Sequence, residues 1–231
     1  MNLQYRFKKA LNNYLSPYVD GNKRPTFFAI QQICPELELI TENFAMIQAE
    51  LENVLKLREN IPLYHQIDPG EKNISNTTPS KWKVFVLYLM GYKPAANCEL
   101  CPQTCQLLKK IPNLMQAFFS ILEPGKSVPI HEGPYLGYLR YHLGLKIPAH
   151  NPPSIVVNGQ RYYWKTGEAV MFDDSWPHQV DNTSTEMRVV LIIDILRPLP
   201  LFPRLINKFA TNVLAKYTYG RSVVKRATQP F

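Results

Sequence analysis

The chain has 231 residues, 45% hydrophobic and 12% aromatic, with 20 Pro, 10 Gly and four Cys. That suits one globular domain with appendages and excludes a disordered chain, a disulfide framework and any apolar run near the ~18 residues of a membrane span. The net charge of +8 is lopsided: no Asp or Glu follows Asp194, the excess lies in Arg197, Arg204, Lys208, Lys216, Arg221, Lys225 and Arg226, and the nearly neutral body offers no nucleic-acid footprint.

Residues 1–25, with Pro17 and Pro25, read as a helix and then a loop. Arg6, Lys8 and Lys9 lead into no apolar stretch, so neither signal peptide nor transmembrane segment is expected and a reducing, cytoplasmic setting is. Residues 41–58 predict a helix with Thr41 as N-cap and an apolar stripe of Phe44, Ile47, Leu51, Val54 and Leu55. Residues 66–80 read as loop, 81–92 as strand or helix, and 102–119 as a helix interrupted near Pro112. From residue 127 short alternating runs are broken by Gly, Pro and Asn. In 136–147, Leu139, Tyr141, Leu143 and Leu145 point one way, and Tyr138, Arg140, His142 and Gly144 the other. Asn158-Gly159 marks a tight hairpin, and 168–173 and 186–195 read as further strands. The expected fold is α+β: a double-stranded β-helix (jelly roll) over 81–198, N-terminal helices packed on it over 1–80, and a basic helical tail over 199–231.

The chemistry candidates lie in the β half. His131 sits in Pro129-Ile130-His131-Glu132-Gly133-Pro134, and His178 follows Phe172-Asp173-Asp174-Ser175-Trp176-Pro177. Two imidazoles from distant strands meeting inside a jelly roll suit Fe(II), whose usual third ligand is an acid two residues after the first His. Gly133 stands there, and alternation sends the adjacent Glu132 to the opposite face. Spacing alone therefore leaves an incomplete triad, against the plainer reading of two ordinary histidines near polar loops. Cys98, Cys101 and Cys105 have metal-like spacing but fall short of four ligands without Cys34 or a histidine, and read as unpaired thiols before a helix beginning at Pro102. Asp173 and Asp174 read as turn residues, one of them able to orient His178. His65 and His150 read as surface residues.

The stretch from Ser120 to Pro198 resembles the aspartyl/asparaginyl β-hydroxylase family of Fe(II)/2-oxoglutarate dioxygenases. The matching text is Ser120, His131-x-Gly133-Pro134, Leu139-Arg140-Tyr141-His142-Leu143-Gly144-Leu145, Phe172-Asp173-Asp174-Ser175, His178, Arg188, Asp194 and Arg197-Pro198, in the family's order and spacing. The resemblance implies that His131 and His178 ligate iron, with water in place of a carboxylate beside Gly133. It implies that Ser120, Arg140, His142 and Arg188 bind 2-oxoglutarate, and that dioxygen is the other cosubstrate. A guanidinium fork suits the distal carboxylate of a dicarboxylate. Read without the family, Arg188 is a surface arginine and His142 a structural histidine. The small residue at 133 also fits a halogenase-type relative, and a jelly-roll binding module without activity is the non-enzyme alternative.

Two substrate classes compete. The Gly133 block matches hydroxylases of peptidyl Asp or Asn. Trp82-Lys83, Tyr88, Gly91, Cys101-Pro102, Thr104, Arg161-Tyr162, Trp164-Lys165-x-Gly167-Glu168 and the basic tail are similar to bacterial lipid A hydroxylases, which oxidise an acyl chain. Those enzymes tend to carry Asp where this chain has Gly133, and they have an N-terminal membrane anchor. In the tail, Phe202, Leu205, Ile206, Phe209, Val213 and Leu214 fall on one helical face with Lys208 and Lys216 off it. That stripe either packs on the barrel or makes peripheral contact with an anionic membrane.

Overall fold

A computed structural model describes residues 3–227, with side chains from residue 6. The first two positions of the expected N-terminal region and the last four of the expected tail lie outside the described residues. Ten strands follow in order: β1 Phe27–Phe28, β2 Trp82–Leu89, β3 Leu114–Leu122, β4 Val128–His131, β5 Tyr138–Lys146, β6 Ser154–Val157, β7 Gln160–Tyr163, β8 Ala169–Phe172, β9 His178–Asp181 and β10 Arg188–Leu196. They form a six-stranded sheet, β1-β8-β5-β10-β3-β2, and a four-stranded sheet, β4-β9-β6-β7. Every pairing is antiparallel, and the fold is the expected α+β jelly roll.

Period-two alternation in β5 divides the core in two. Leu139, Tyr141, Leu143 and Leu145 point outward with Phe85, Phe119, Leu191 and Ile193, and meet Leu37, Ile40, Ile47, Leu51 and Val54 of the N-terminal helices. Each aliphatic side chain so buried contributes about 1.5–3 kcal/mol. Tyr138 points inward with Trp82, Phe118, Phe172 and Ile192, toward Ile155, Val157 and Val180 of the smaller sheet. Asn158 and Gly159, at φ 48° and 76°, form the β6–β7 hairpin, as a two-residue turn with both central residues left-handed requires.

Three local expectations are corrected. The helix begins at Phe44, not Thr41, and runs to Leu55. Thr41 lies in a preceding turn, Glu38–Glu42, and its hydroxyl meets Tyr141 Oη at 2.9 Å. Asn43 breaks the two apart, donating its side-chain amide to the Leu39 carbonyl. Residues 66–80 contain a 3₁₀ turn at Pro69–Glu71 and a helical turn at Lys72–Ser75, started by Asp68 accepting from the Gly70 amide. Residues 102–119 are not one helix. Helix Pro102–Leu108 is capped by the buried Glu50 carboxylate, which accepts from the Gln103 and Thr104 amides and the Thr104 hydroxyl. The chain then reverses at Asn113, φ 55°, into β3. β3 is covered on both faces, so its apolar run lacks the alternation that would mark a strand.

The tail runs as helix Leu201–Phe209, a π-helical stretch Ala210–Gly220 and helix Arg221–Ala227. Its packed face is Pro203, Asn207, Ala210 and Thr211, while the apolar stripe from Phe202 to Leu214 is exposed rather than laid on the barrel. Asn207 fixes this orientation, accepting from Tyr135 Oη at 2.6 Å and donating to the Gly137 carbonyl at 2.7 Å. No helix among the described residues is long and apolar enough to cross a membrane.

Candidate functional site

His131 and His178 stand opposite one another in the β4–β9 ladder, with ring centroids 4.1 Å apart. Each Nδ1 lies 2.8 Å from a backbone carbonyl two residues earlier, Pro129 and Trp176 respectively. A carbonyl only accepts, so Nδ1 carries the proton and Nε2 keeps its lone pair. Burial lowers the His131 pKa, and burial with the neighbouring His131 holds His178 at about 3. Two neutral imidazoles side by side are what a divalent metal needs. Among the described residues no group of three His, Cys, Asp or Glu could hold a metal. A metal here would therefore rest on two protein ligands.

The larger sheet supplies the facing residues. β10 lies between β3 and β5 and holds Arg188 near Ser120 of β3 and His142 of β5. Arg188 is 2% exposed and pairs with no carboxylate among the described residues. Its guanidinium lies 4.1 Å over the Trp164 ring, Nη1 reaches Ser120 Oγ at 3.4 Å, and Nε has no hydrogen-bond partner among the described residues. Trp82 Nε1 also donates to Ser120 Oγ, at 3.0 Å. Burial pulls the Arg188 pKa down to about 9, the mark of a cation without its anion. His142 packs between Trp164 and Phe172, and neither ring nitrogen has a hydrogen-bond partner among the described residues. Burial and then Arg188 hold it neutral. The Phe172 ring touches both His142 and His178, linking the two sets. This buried cluster of unengaged polar groups would suit a dicarboxylate bound beside a metal held by the two histidines.

Arg140 shares the inner face of β5 with His142, but its guanidinium is already engaged. Nε and Nη2 each donate to Asp194 at 2.8 Å, and Nη1 meets Asp174 Oδ2 at 2.8 Å. It holds Asp174 in place, and all three of its guanidinium nitrogens are already engaged by two carboxylates.

Asp174 is the residue that sequence reasoning set aside as a turn. It is buried, accepts from Tyr138 Oη at 2.8 Å, and leaves Oδ1 without a hydrogen-bond partner among the described residues. Burial pushes its carboxyl up to about 7 against the pull of Arg140. The Gly133 amide donates to the Asp174 carbonyl at 2.7 Å, and a Cβ on Gly133 would lie 2.5 Å from Asp174 Oδ1. The space after His131 is thus filled by a carboxylate from the other histidine's loop. Asp173 instead ties the chain together, pairing with Arg24 at 2.9 Å and Arg197 at 2.5 Å. Trp164 was also missed as the floor under Arg188 and His142. An indole closing a hairpin and an acid four residues before a candidate ligand are the signals that could have found these two.

The remaining candidates fall elsewhere. Glu132 and His150 are exposed, whereas His65 is half-buried and bonded to Ser75. Cys98 and Cys105 lie 2.7 Å apart through their sulfurs beside the buried Cys101, as free thiols around the helix start at Pro102.

The sequence pattern described as aspartyl/asparaginyl beta-hydroxylase matches residues 41–198. An ornithine lipid ester-linked acyl 2-hydroxylase from Rhizobium tropici is 41% identical over 169 residues, covering 73% of this chain and 59% of that protein. The human aspartate beta-hydroxylase domain-containing protein 2 is 31% identical over 172 residues, covering 71% of this chain and 45% of that protein. The human aspartyl/asparaginyl beta-hydroxylase is 34% identical over 135 residues, covering 56% of this chain and 17% of that protein. The chain therefore spans only part of the curated relatives it matches.

Proposed function

Because the chain belongs to the aspartyl/asparaginyl β-hydroxylase family, we propose that it is an Fe(II)- and 2-oxoglutarate-dependent dioxygenase that hydroxylates an unactivated carbon. The observation that carries this reading is Arg188, a buried guanidinium paired with no carboxylate among the described residues, close to His142 and linked through Phe172 to the two neutral histidines. A buried unpaired charge is costly, and a bound carboxylate would offset that cost.

In this reading His131 and His178 hold the metal through Nε2, while their Nδ1 bonds fix the ring planes. Arg188 takes the distal carboxylate of 2-oxoglutarate, with Ser120 as a further donor, and His142 offers a ring N–H to the same ligand. Trp164 and Phe172 wall this pocket with aromatic surface and exclude water. Arg140 positions Asp174 beside Gly133. When bound, iron, 2-oxoglutarate and dioxygen supply oxidative decarboxylation to succinate and carbon dioxide coupled to insertion of one oxygen atom into a substrate C–H bond.

For the substrate, the 41% identity to an ornithine lipid acyl 2-hydroxylase favours a lipid acyl chain. The family's description keeps a peptidyl Asp or Asn as the second reading. The test is anaerobic purification, addition of Fe(II) and 2-oxoglutarate, and succinate measurement on admitting oxygen, with an acylated aminolipid or an Asp/Asn peptide present. Succinate above background with the lipid and an acyl product heavier by one oxygen supports the first reading; the same with the peptide supports the second. With chloride present in each arm, a chlorinated product would identify a halogenase, and cofactor binding without succinate in any arm a binding module.

A further inference from the structure

The tail leaves a row of large apolar side chains in solvent. Phe202 is 74% exposed, Phe209 56% and Leu205 53%, and Ile206, Val213 and Leu214 continue the row. Their spacing follows the winding of the helix beneath them. Phe202, Leu205, Ile206 and Phe209 are related by three and four residues within the α-helical Leu201–Phe209. Val213 and Leu214 lie four and five residues beyond Phe209, which keeps them in line through the π-helical Ala210–Gly220. Scattered apolar residues on a surface are ordinary, but a contiguous row along one helix is a binding face.

The charge beside the row selects its occupant. Arg204 and Lys208 are exposed on the same helix, and no Asp or Glu follows Asp194 in the sequence. Where the tail crosses the barrel, a cavity of about 450 Å³ is lined by Lys93, Lys109, Lys208 and Lys216 and by no acid. An apolar row flanked by cations and by a basic cavity matches the two layers of an anionic bilayer surface, acyl chains below and phosphates above. A soluble protein partner would have to present both an apolar groove and an acidic rim.

We propose that the tail docks the protein on an anionic membrane, with the Phe202–Leu214 row inserted among acyl chains and the lysine cavity taking a lipid phosphate. The docked face is joined rigidly to the candidate site. Asn207, on the opposite side of the same helix, bonds to Tyr135 and Gly137, in the loop that leaves His131. The inference deepens the lipid-acyl reading, and rests on it only for the use made of docking; binding itself is independent of turnover.

The test is co-sedimentation of the full chain with vesicles of pure phosphatidylcholine and of an equimolar phosphatidylcholine–phosphatidylglycerol mixture. We expect binding to the mixed vesicles only, weakened by salt. Phe202→Ser combined with Phe209→Ser should lower that binding about tenfold or more, with an unchanged circular dichroism spectrum, because both rings are in solvent in the free protein. Lys93→Gln combined with Lys109→Gln, off the tail, should lower it for mixed vesicles while leaving the apolar row intact. Equal binding to both vesicle types, or full binding by the serine variant, would overturn the proposal. So would a concentration-dependent dimer abolished by the same serine substitutions without any vesicle binding, since the face would then belong to a second copy. Vesicle binding without succinate formation would leave docking standing and remove the hydroxylase reading.

Discussion

Asp174 occupies the space that a side chain on Gly133 would need: a Cβ there would stand 2.5 Å from the Asp174 carboxyl oxygen. The two residues belong to the loops of the two candidate metal-binding histidines, so the absence of a side chain at 133 and the presence of the acid at 174 form one arrangement. Gly133→Ala should therefore overpack the junction and destabilise the protein by about 1–3 kcal/mol. Asp174→Gly in the same chain should recover part of that loss. Urea denaturation of the two single variants and the double variant measures the coupling, and strict additivity would show that the two positions do not compete for space.

Arg188 makes a sharper separation of stability from binding. Replacing a buried, carboxylate-free guanidinium by an apolar side chain of similar length removes a desolvated charge. Arg188→Met should leave stability unchanged or raise it by up to about 2 kcal/mol. 2-Oxoglutarate with Fe(II) should raise the Tm of the native chain and leave that of this variant unchanged. A large loss of stability on substitution would mean that Arg188 is a structural cation.

Cys98 should be the reactive thiol. The hydrogen bond from Cys105 lowers its pKa to about 7, whereas burial pushes Cys101 to about 12 and Cys34 to about 11. The thiolate is the nucleophile, so alkylation of Cys98 by iodoacetamide should climb as pH rises through about 7 and then level off, while Cys34 and Cys101 stay unmodified. Cys105→Ala removes the donor and should slow the reaction at neutral pH by roughly tenfold. Peptide mass mapping across a pH series reads both outcomes.

Glu50 joins the N-terminal helices to the segment that leads into β3. It is buried and accepts three hydrogen bonds, two from the orphan amides at the start of helix Pro102–Leu108. Glu50→Ala should cost about 1–3 kcal/mol, because the buried Thr104 amide and hydroxyl would be left without their acceptor. Chemical denaturation measures it, and a loss near zero would show that water takes over the cap.

The strands with one face on each core were the legible part of the fold. β5 showed its two faces in the alternation of Leu139, Tyr141, Leu143 and Leu145 with Tyr138, Arg140, His142 and Gly144, and the β6–β7 turn was marked by Asn158-Gly159. β3 was not legible, because a strand buried on both sides carries no polar alternation and its apolar run suits a helix equally. Among the candidate site residues, the register that sets His131 against His178 is a property of pairing between strands distant in sequence, which no local pattern encodes. The family resemblance, not spacing, singled out Ser120 and Arg188. Arg140 shows the limit of reading a face from periodicity: it points inward, but Asp194, one strand away, engages it. Asp174 and Trp164 were passed over because a turn acid and a hairpin indole have common structural uses. For the tail, the stripe was visible, but which side packs was decided by Asn207, whose side chain answers Tyr135 and Gly137.

The two halves of the candidate site hang from different layers. His131 and His178 belong to the four-stranded sheet, and Ser120, His142 and Arg188 to the six-stranded one. A ligand touching both sets is consequently a clasp between the layers. β4, which carries His131, is an edge strand laddered only to β9. In the clasped state its free side gains an anchor through His131 that the backbone ladder does not provide. A ligand bound across both layers would therefore stiffen the jelly roll at that edge.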